Sequence, residues 1–273
     1  MVFNSKFSVL SSPLGVKRSL SRRYLRCAAG IVLVGTLAFA ETASSAAVGD
    51  PRDSNAGDVS YDGRLAFVRL RYELTWGSRG EPPWAHDYPT ADRHLMKILD
   101  ELSLVDPHTE DSNIFTLDDP ELFKFPMAYM SEPGFWTLND GEAKGFRDYM
   151  KKGGFVIFDD FRGFHLENFR TQLDRVLPGA RLVELDGTHP IFHSFFEIDS
   201  PEGFLPPYER NLTPVFYGVF EDNDPAKRLM LIANYNNDLG EYWEFSDTGY
   251  MPVDLSNEAY KYGVNYFIYG LTH

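Results

Sequence analysis

The 273-residue chain reads as an α/β protein built on a mostly parallel sheet with helices on both sides, and three observations predict it. Short runs rich in branched and aromatic residues alternate with amphipathic helical segments between residues 65 and 185. One run, Phe155–Phe158 (FVIF), is continuously apolar, as a strand covered on both faces must be. Turn formers such as Gly153-Gly154 and Pro178-Gly179 punctuate the series.

Leu65–Tyr72 (LAFVRLRY) is the first strand. A polar, aromatic loop follows over Glu73–Pro89, with Trp76, Trp84 and three prolines. Thr90 is placed to cap a helix in which Leu95, Ile98, Leu99 and Leu102 share a face. Strands are expected at Asn113–Leu117 and Pro126–Met130. Asn139 and Glu142 carry the N-x-x-E spacing of a helix start, and Phe146, Tyr149 and Met150 supply its apolar face. Gly153-Gly154 ends that helix in left-handed geometry before Phe155–Phe158. Leu166–Leu177 is a further helix, stopped by Pro178-Gly179, and Arg181–Leu185 a further strand of the same series. Pro214–Phe220 and Leu229–Ala233, separated by the polar turn Glu221–Lys227, predict an antiparallel hairpin. Asn257–Leu271 predicts a closing helix, against which Gly263 and Gly270 count.

Residues 1–40 have the form of a cleavable signal peptide. Lys6, Lys17, Arg18, Arg22, Arg23 and Arg26 stand without an acidic residue before the apolar run Cys27–Ala40, which ends in Ala38-Phe39-Ala40. About 14 apolar residues fall short of the roughly 20 that span a bilayer. Export to a bacterial periplasm is therefore expected, with an uncleaved membrane anchor as the alternative. Arg22-Arg23 resembles a twin-arginine signal. Residues 41–60 are small and polar and read as a flexible lead-in, leaving 61–273 as one domain.

The chain carries 26 Lys+Arg against 40 Asp+Glu; without residues 1–40 the balance is 20 against 40, a formal charge of −20. Such a surface repels nucleic acid and anionic membrane, so neither is an expected partner. The single cysteine, Cys27, lies in the signal, so the mature chain has no disulfide, thiolate nucleophile or cysteine metal site. No phosphate-cradling glycine loop is present, and no cofactor is called for.

In an open parallel sheet, ligands bind beyond the carboxyl ends of the strands. That rule selects Glu73, Trp76 and His86-Asp87-Tyr88 after the first strand, and Ser131-Glu132-Pro133-Gly134 after the strand at 126–130. It also selects Asp159, Asp160, Arg162 and His165 after Phe155–Phe158, and Asp186, His189 and His193 after 181–185. Two adjacent carboxylates at a buried strand end repel each other, so Asp159-Asp160 is either a metal or acid/base pair, or a structural pair in which one caps a segment and the other meets Arg162. His189 is either an imidazole at the same rim or a turn residue bonded to backbone. The ligand-binding candidates are Trp76, Ser131, Glu132, Asp159, Asp160 and His189. Glu221-Asp222-Asn223-Asp224 lacks the glycine and distant glutamate of a calcium loop and reads as a solvated turn.

Asp87-Tyr88-Pro89-Thr90-Ala91-Asp92-Arg93, Asp119-Pro120-Glu121-Leu122-Phe123, Pro126–Met130, Gly153-Gly154-Phe155 with Asp159-Asp160, and His189-Pro190-Ile191-Phe192 occur in one order. Together they resemble the bacterial "domain of unknown function 4159" family from about Tyr61 onward. The resemblance implies a class I glutamine amidotransferase-like fold, a flavodoxin-like three-layer sandwich, here followed by the hairpin and closing helix. Proteins of that fold place a cysteine nucleophile on the turn after the third strand. This chain has Met130-Ser131-Glu132-Pro133-Gly134 there, which excludes thiol-based glutamine hydrolysis. Ser131 as a replacement nucleophile lacks the G-x-S-x-G frame.

The leading expectation is a non-catalytic module that binds a small polar molecule or an envelope protein. The alternatives are a hydrolase or isomerase using Asp159/Asp160 with His189, with or without a divalent metal, and a structural component of an envelope assembly.

Overall fold

The computed structural model describes residues 58–74 and 80–273; the signal segment, most of the lead-in and Trp76 lie outside the described residues. Seven strands form the main sheet: β1 (Val68–Arg71), β3 (Asn113–Thr116), β4 (Met127–Ser131), β6 (Phe155–Phe161), β7 (Val183–Glu184), β8 (Val215–Phe220) and β9 (Leu229–Tyr235). Their spatial order is β3-β1-β4-β6-β9-β8-β7. The first five in that order are parallel neighbours, and β8 and β7 close one edge with antiparallel pairings. β2 (Glu73–Leu74) and β5 (Trp136–Thr137) make a separate two-stranded ribbon.

Side-chain alternation along the parallel strands divides the core between two faces. Phe67, Met127, Tyr129, Phe155 and Ile157 pack toward α1 (Thr90–Leu102), α4 (Leu239–Glu244) and α5 (Val253–Thr272), where Leu95, Leu99, Trp243, Val264 and Tyr266 are buried. Val68, Leu70, Ala128, Met130, Val156 and Phe158 face α2 (Asp140–Lys151) and α3 (His165–Val176), with Phe146, Met150, Phe169 and Leu173 inward. The protein is thus α/β, with a seven-stranded, mostly parallel central sheet.

Local signals explain most of the element ends. Asn139 accepts from the Glu142 N–H at 3.0 Å while the Glu142 carboxylate accepts from the Asn139 N–H at 2.8 Å, the reciprocal cap that starts α2. Gly153 ends it at φ +119°. Asp222 and Asn223 turn the β8–β9 hairpin in left-handed conformation, and Lys227 meets Asp222 at 2.6 Å. Thr90 differs from its expected role: it is the first helical residue of α1, and no side-chain cap is present. The closing helix is longer than expected, running from Val253 to Thr272, and it tolerates Gly263 in its interior because Leu95 and Trp243 approach the helix backbone there. A Cβ there would stand 2.6 Å from Leu95 Cδ1.

The segment 181–185 is not a further member of the parallel series. It contributes only Val183–Glu184, at the far edge, paired antiparallel to β8 through Val183↔Gly218 and Glu184↔Tyr217. α3 joins it to β6, but β9 takes the place beside β6 in the sheet, so the segment pairs at the edge with β8 instead. β9, in contrast, is central: it runs parallel to β6 as well as antiparallel to β8. No helix among the described residues is long and apolar enough to cross a membrane.

Candidate functional site

The carboxyl ends of β1, β4, β6 and β9 lie side by side, and four chain segments leaving them build one acidic rim. Tyr72, just past β1, donates from its hydroxyl to the carbonyls of Ser131 at 2.9 Å and Glu132 at 2.7 Å. The Glu132 N–H donates to the Asp159 carbonyl at 3.0 Å. These bonds hold Glu132 at φ +47°, in the left-handed region that costs a non-glycine residue about 1–3 kcal/mol. Asp160 (φ +54°) and Asp87 (φ +65°) share that conformation. Three of the rim's carboxylates therefore sit on backbone that the surrounding structure forces.

Ser131 is the last residue of β4, fully buried, with no hydrogen-bond partner for its Oγ. It does not project from the turn; Glu132 does. Any group acting at this elbow is a carboxylate.

Asp159 and Asp160 have separate roles because β6 shifts register between Phe158 and Phe161. The Asp159 carboxylate accepts from Tyr129 Oη (3.0 Å), Asn234 Nδ2 (2.9 Å) and the N–H groups of Leu239 (2.8 Å) and Gly240 (3.0 Å). It anchors the start of α4. Burial nonetheless raises its pKa to about 6, the hydrogen bonds opposing that rise. Asp160 faces the rim: its Oδ2 lies 3.1 Å from His86 Nδ1, and its Oδ1 3.5 Å from Arg162 Nη1.

His86 is positioned from below. The Arg69 guanidinium, 1 % exposed, forms an ion pair with Asp92 at 2.5 Å and donates to the carbonyls of Trp84 (3.1 Å) and His86 (2.7 Å). Arg69 thereby fixes the 3₁₀ turn Pro83–Ala85 that carries the imidazole. The hydrogen bond to Asp160 raises the His86 pKa to about 10 against the opposing effect of burial, helped by the charge of Asp87. Glu132 is pushed up to about 7 by burial and by the neighbouring Asp160.

Asp87 is 3 % exposed, and neither of its oxygens has a hydrogen-bond partner; the nearest cation, His86 Nδ1, is 3.8 Å away. Asp238 uses one oxygen to cap the Glu241 N–H at 2.9 Å and leaves Oδ2 buried without a partner. Burial raises both carboxyls well above the usual range. Glu241, also buried, accepts from the Tyr208 hydroxyl. A Cβ at position 240 would overlap Asp87 Oδ2 and stand 2.9 Å from Tyr129 Oη, so the close approach of α4 to this cluster requires glycine.

The donor atoms of His86, Glu132 and Asp160 lie within 4.8 Å of one another, as do those of His86, Asp87 and Glu241. Either set has the composition and spacing of a metal-ligand group.

Of the six ligand-binding candidates, Glu132 and Asp160 meet at this rim, with Ser131 and Asp159 buried beneath it. His189 does not join them. Its ring packs at 5.8 Å on Phe220 and 5.9 Å on Tyr269, which in turn packs on Phe155, the first residue of β6. It therefore lies at the opposite end of the sheet, where its Nδ1 accepts from the Ile191 N–H at 3.2 Å. The alternative that joined Asp159/Asp160 to His189 loses its imidazole. His86 supplies one instead; the strand-end rule selects it, although it is not among the six ligand-binding candidates. Asp238 and Glu241 were missed. The signal for them was Leu229–Ala233, as continuously apolar as Phe155–Phe158; read as a central strand, it places residues 234–241 on the rim.

A search of curated proteins finds no match. The family model described as "Domain of unknown function (DUF4159)" matches residues 66–271, which contain all the rim residues named above, and the chain belongs to that family.

Proposed function

We propose that the chain is an exported binding module on a flavodoxin-like, class I glutamine amidotransferase-like scaffold, holding a small cationic or donor-rich ligand at the rim around His86. The scaffold reading is supported by the five parallel strands, which taken in chain order stand 2-1-3-4-5 in the sheet. Export is supported by the basic and apolar pattern of residues 1–40. The turn that carries the nucleophile in that fold has Ser131-Glu132 here, and residues 58–273 contain no cysteine.

One observation carries the binding reading: buried carboxylates at the rim outnumber the cations that face them. Among the described residues, the buried Asp87, Asp160, Asp238 and Glu241 and the half-buried Glu132 meet His86 and a half-exposed Arg162, since Arg69 is paired with Asp92. Carboxyls that burial raises for want of facing cations favour a ligand that brings positive charge, with which they ionise. The test is thermal unfolding of the full chain with Mn2+, Zn2+, spermidine or glucose. A saturable rise in Tm with at least one probe, lost in Glu132→Gln/Asp160→Asn, is expected; no rise with any probe overturns the reading.

A second reading is a hydrolase or isomerase. It is favoured by two neighbouring groups that are both raised, Glu132 to about 7 by burial and His86 to about 10 by its bond to Asp160, which sets a carboxyl that titrates near neutrality beside a more basic imidazole. Turnover of p-nitrophenyl acetate that is lost in Glu132→Gln supports it.

A further inference from the structure

We propose that His86, Glu132 and Asp160, with Asp87 and Glu241 adjoining them, form a binding site for a divalent first-row metal ion. The inference rests on the binding reading above and narrows its ligand from any cation to one class.

Convergence is the first argument. Three donors from three segments, the loop before α1, the turn after β4 and the end of β6, bring atoms within 4.8 Å of one another. Ligands about 2.0–2.2 Å from one ion stand up to about 4.4 Å apart, so the set closes on a metal with side-chain movements of a fraction of an ångström. An organic ammonium group needs donors spread over a wider shell.

Independent of the cluster is the state of Asp87. Its carboxylate is 97 % buried, points at the His86 ring from 3.8 Å, and makes no hydrogen bond through either oxygen. Buried polar groups are almost always paired, and a pair of unpaired oxygens beside donors with metal-ligand spacing marks a place for an ion. Asp238 Oδ2 is a second such atom on the adjoining segment. The His86 side chain is 41 % exposed, which provides the path of entry.

The donor set selects the metal. One imidazole among carboxylates, with no thiolate, suits Mn2+, Fe2+ or Zn2+; Ca2+ and Mg2+ prefer all-oxygen shells. Arg162 is compatible, since it meets Asp160 through Oδ1 and leaves Oδ2 to the centre. Metal entry displaces the proton that His86 shares with Asp160, so binding releases protons. The exposed trio His193, Glu197 and Asp199 has similar spacing but no unpaired buried group.

The test uses the full chain, stripped with EDTA and dialysed into chelator-free buffer. Mn2+ binding is followed by loss of the free-ion electron paramagnetic resonance signal, and Zn2+ binding by equilibrium dialysis with elemental analysis. Near-stoichiometric binding is expected, weakened about tenfold or more by His86→Ala, Asp87→Asn and Glu132→Gln, and unchanged by His193→Ala or His189→Ala. Circular dichroism of each variant distinguishes lost binding from lost fold, and the near-isosteric Asn and Gln variants are the decisive ones. Wild-type binding no tighter than that of Glu132→Gln/Asp160→Asn overturns the proposal. If the metals fail but spermidine raises Tm in the wild type alone, the metal site is refuted and the binding reading survives. If every probe fails, both fall.

Discussion

His86 Nδ1 stands 3.1 Å from Asp160 Oδ2, joining two residues 74 positions apart in the chain. This hydrogen bond is the largest influence on the imidazole, and it keeps His86 protonated at neutral pH. In the metal-free protein, Asp160→Asn is expected to move the His86 titration from about 10 toward the ordinary imidazole value of about 6.5. Histidine NMR resonances followed against pH measure it; an unmoved titration refutes the link.

The rim makes the metal-free fold sensitive to pH. Glu132 is raised from 4.5 to about 7 and Asp159 from 3.8 to about 6. Between those limits the folded state binds more protons than the unfolded one. Their contribution is therefore complete below the unfolded values and is lost as pH rises through the folded ones. Unfolding midpoints of the metal-free chain should fall from pH 4.5 to pH 7.5, and less steeply in Glu132→Gln. A midpoint that rises over that window contradicts the assignment.

Gly240 lets α4 start against Asp87 and Tyr129. Gly240→Ala is expected to destabilise the protein by about 1–3 kcal/mol, the range for overpacking a filled interior, despite alanine's better helix propensity. Urea denaturation measures it, and a stabilised variant shows that the cluster is looser than its geometry indicates.

The Arg69–Asp92 pair should tolerate the loss of one partner poorly. Arg69→Met leaves Asp92 buried alone and frees the carbonyls of Trp84 and His86. A loss of about 3–5 kcal/mol is expected, together with weaker metal binding because the turn carrying His86 loses its support. Equal binding in wild type and variant removes Arg69 from the positioning role.

His189 provides the contrasting case. His189→Ala removes one cap from a 3₁₀ turn, a change expected to cost about 1 kcal/mol. It should leave the His86 titration untouched. A shift in that titration reconnects the two ends of the sheet.

Which residues reach the rim was legible only where strand order was legible. The rule that ligands gather beyond strand carboxyl ends placed Glu132 and Asp160 at the rim, because Pro126–Met130 and Phe155–Phe158 are central parallel strands. The same rule offered both His86 and His189, and of the two His86 stands at the rim. His189 follows an edge strand two residues long, and the turn after it leads to the other end of the sheet. Glu241 and Asp238 escaped because β9 was read only as half of a hairpin, whereas it is also β6's parallel neighbour.

By itself, the sequence determined the α/β class, the capped helix α2, the buried strand β6 and the absence of a thiol on the β4 turn. Each follows from residues near one another in the chain, through periodicity, capping or composition. Tertiary structure alone decided that Asp159 anchors α4 while Asp160 faces the rim, that Glu132 and not Ser131 stands on the elbow, and that His86 is the imidazole. Those outcomes depend on a register shift, left-handed backbone held by distant hydrogen bonds, and the buried Arg69–Asp92 pair, all of which join segments far apart in sequence.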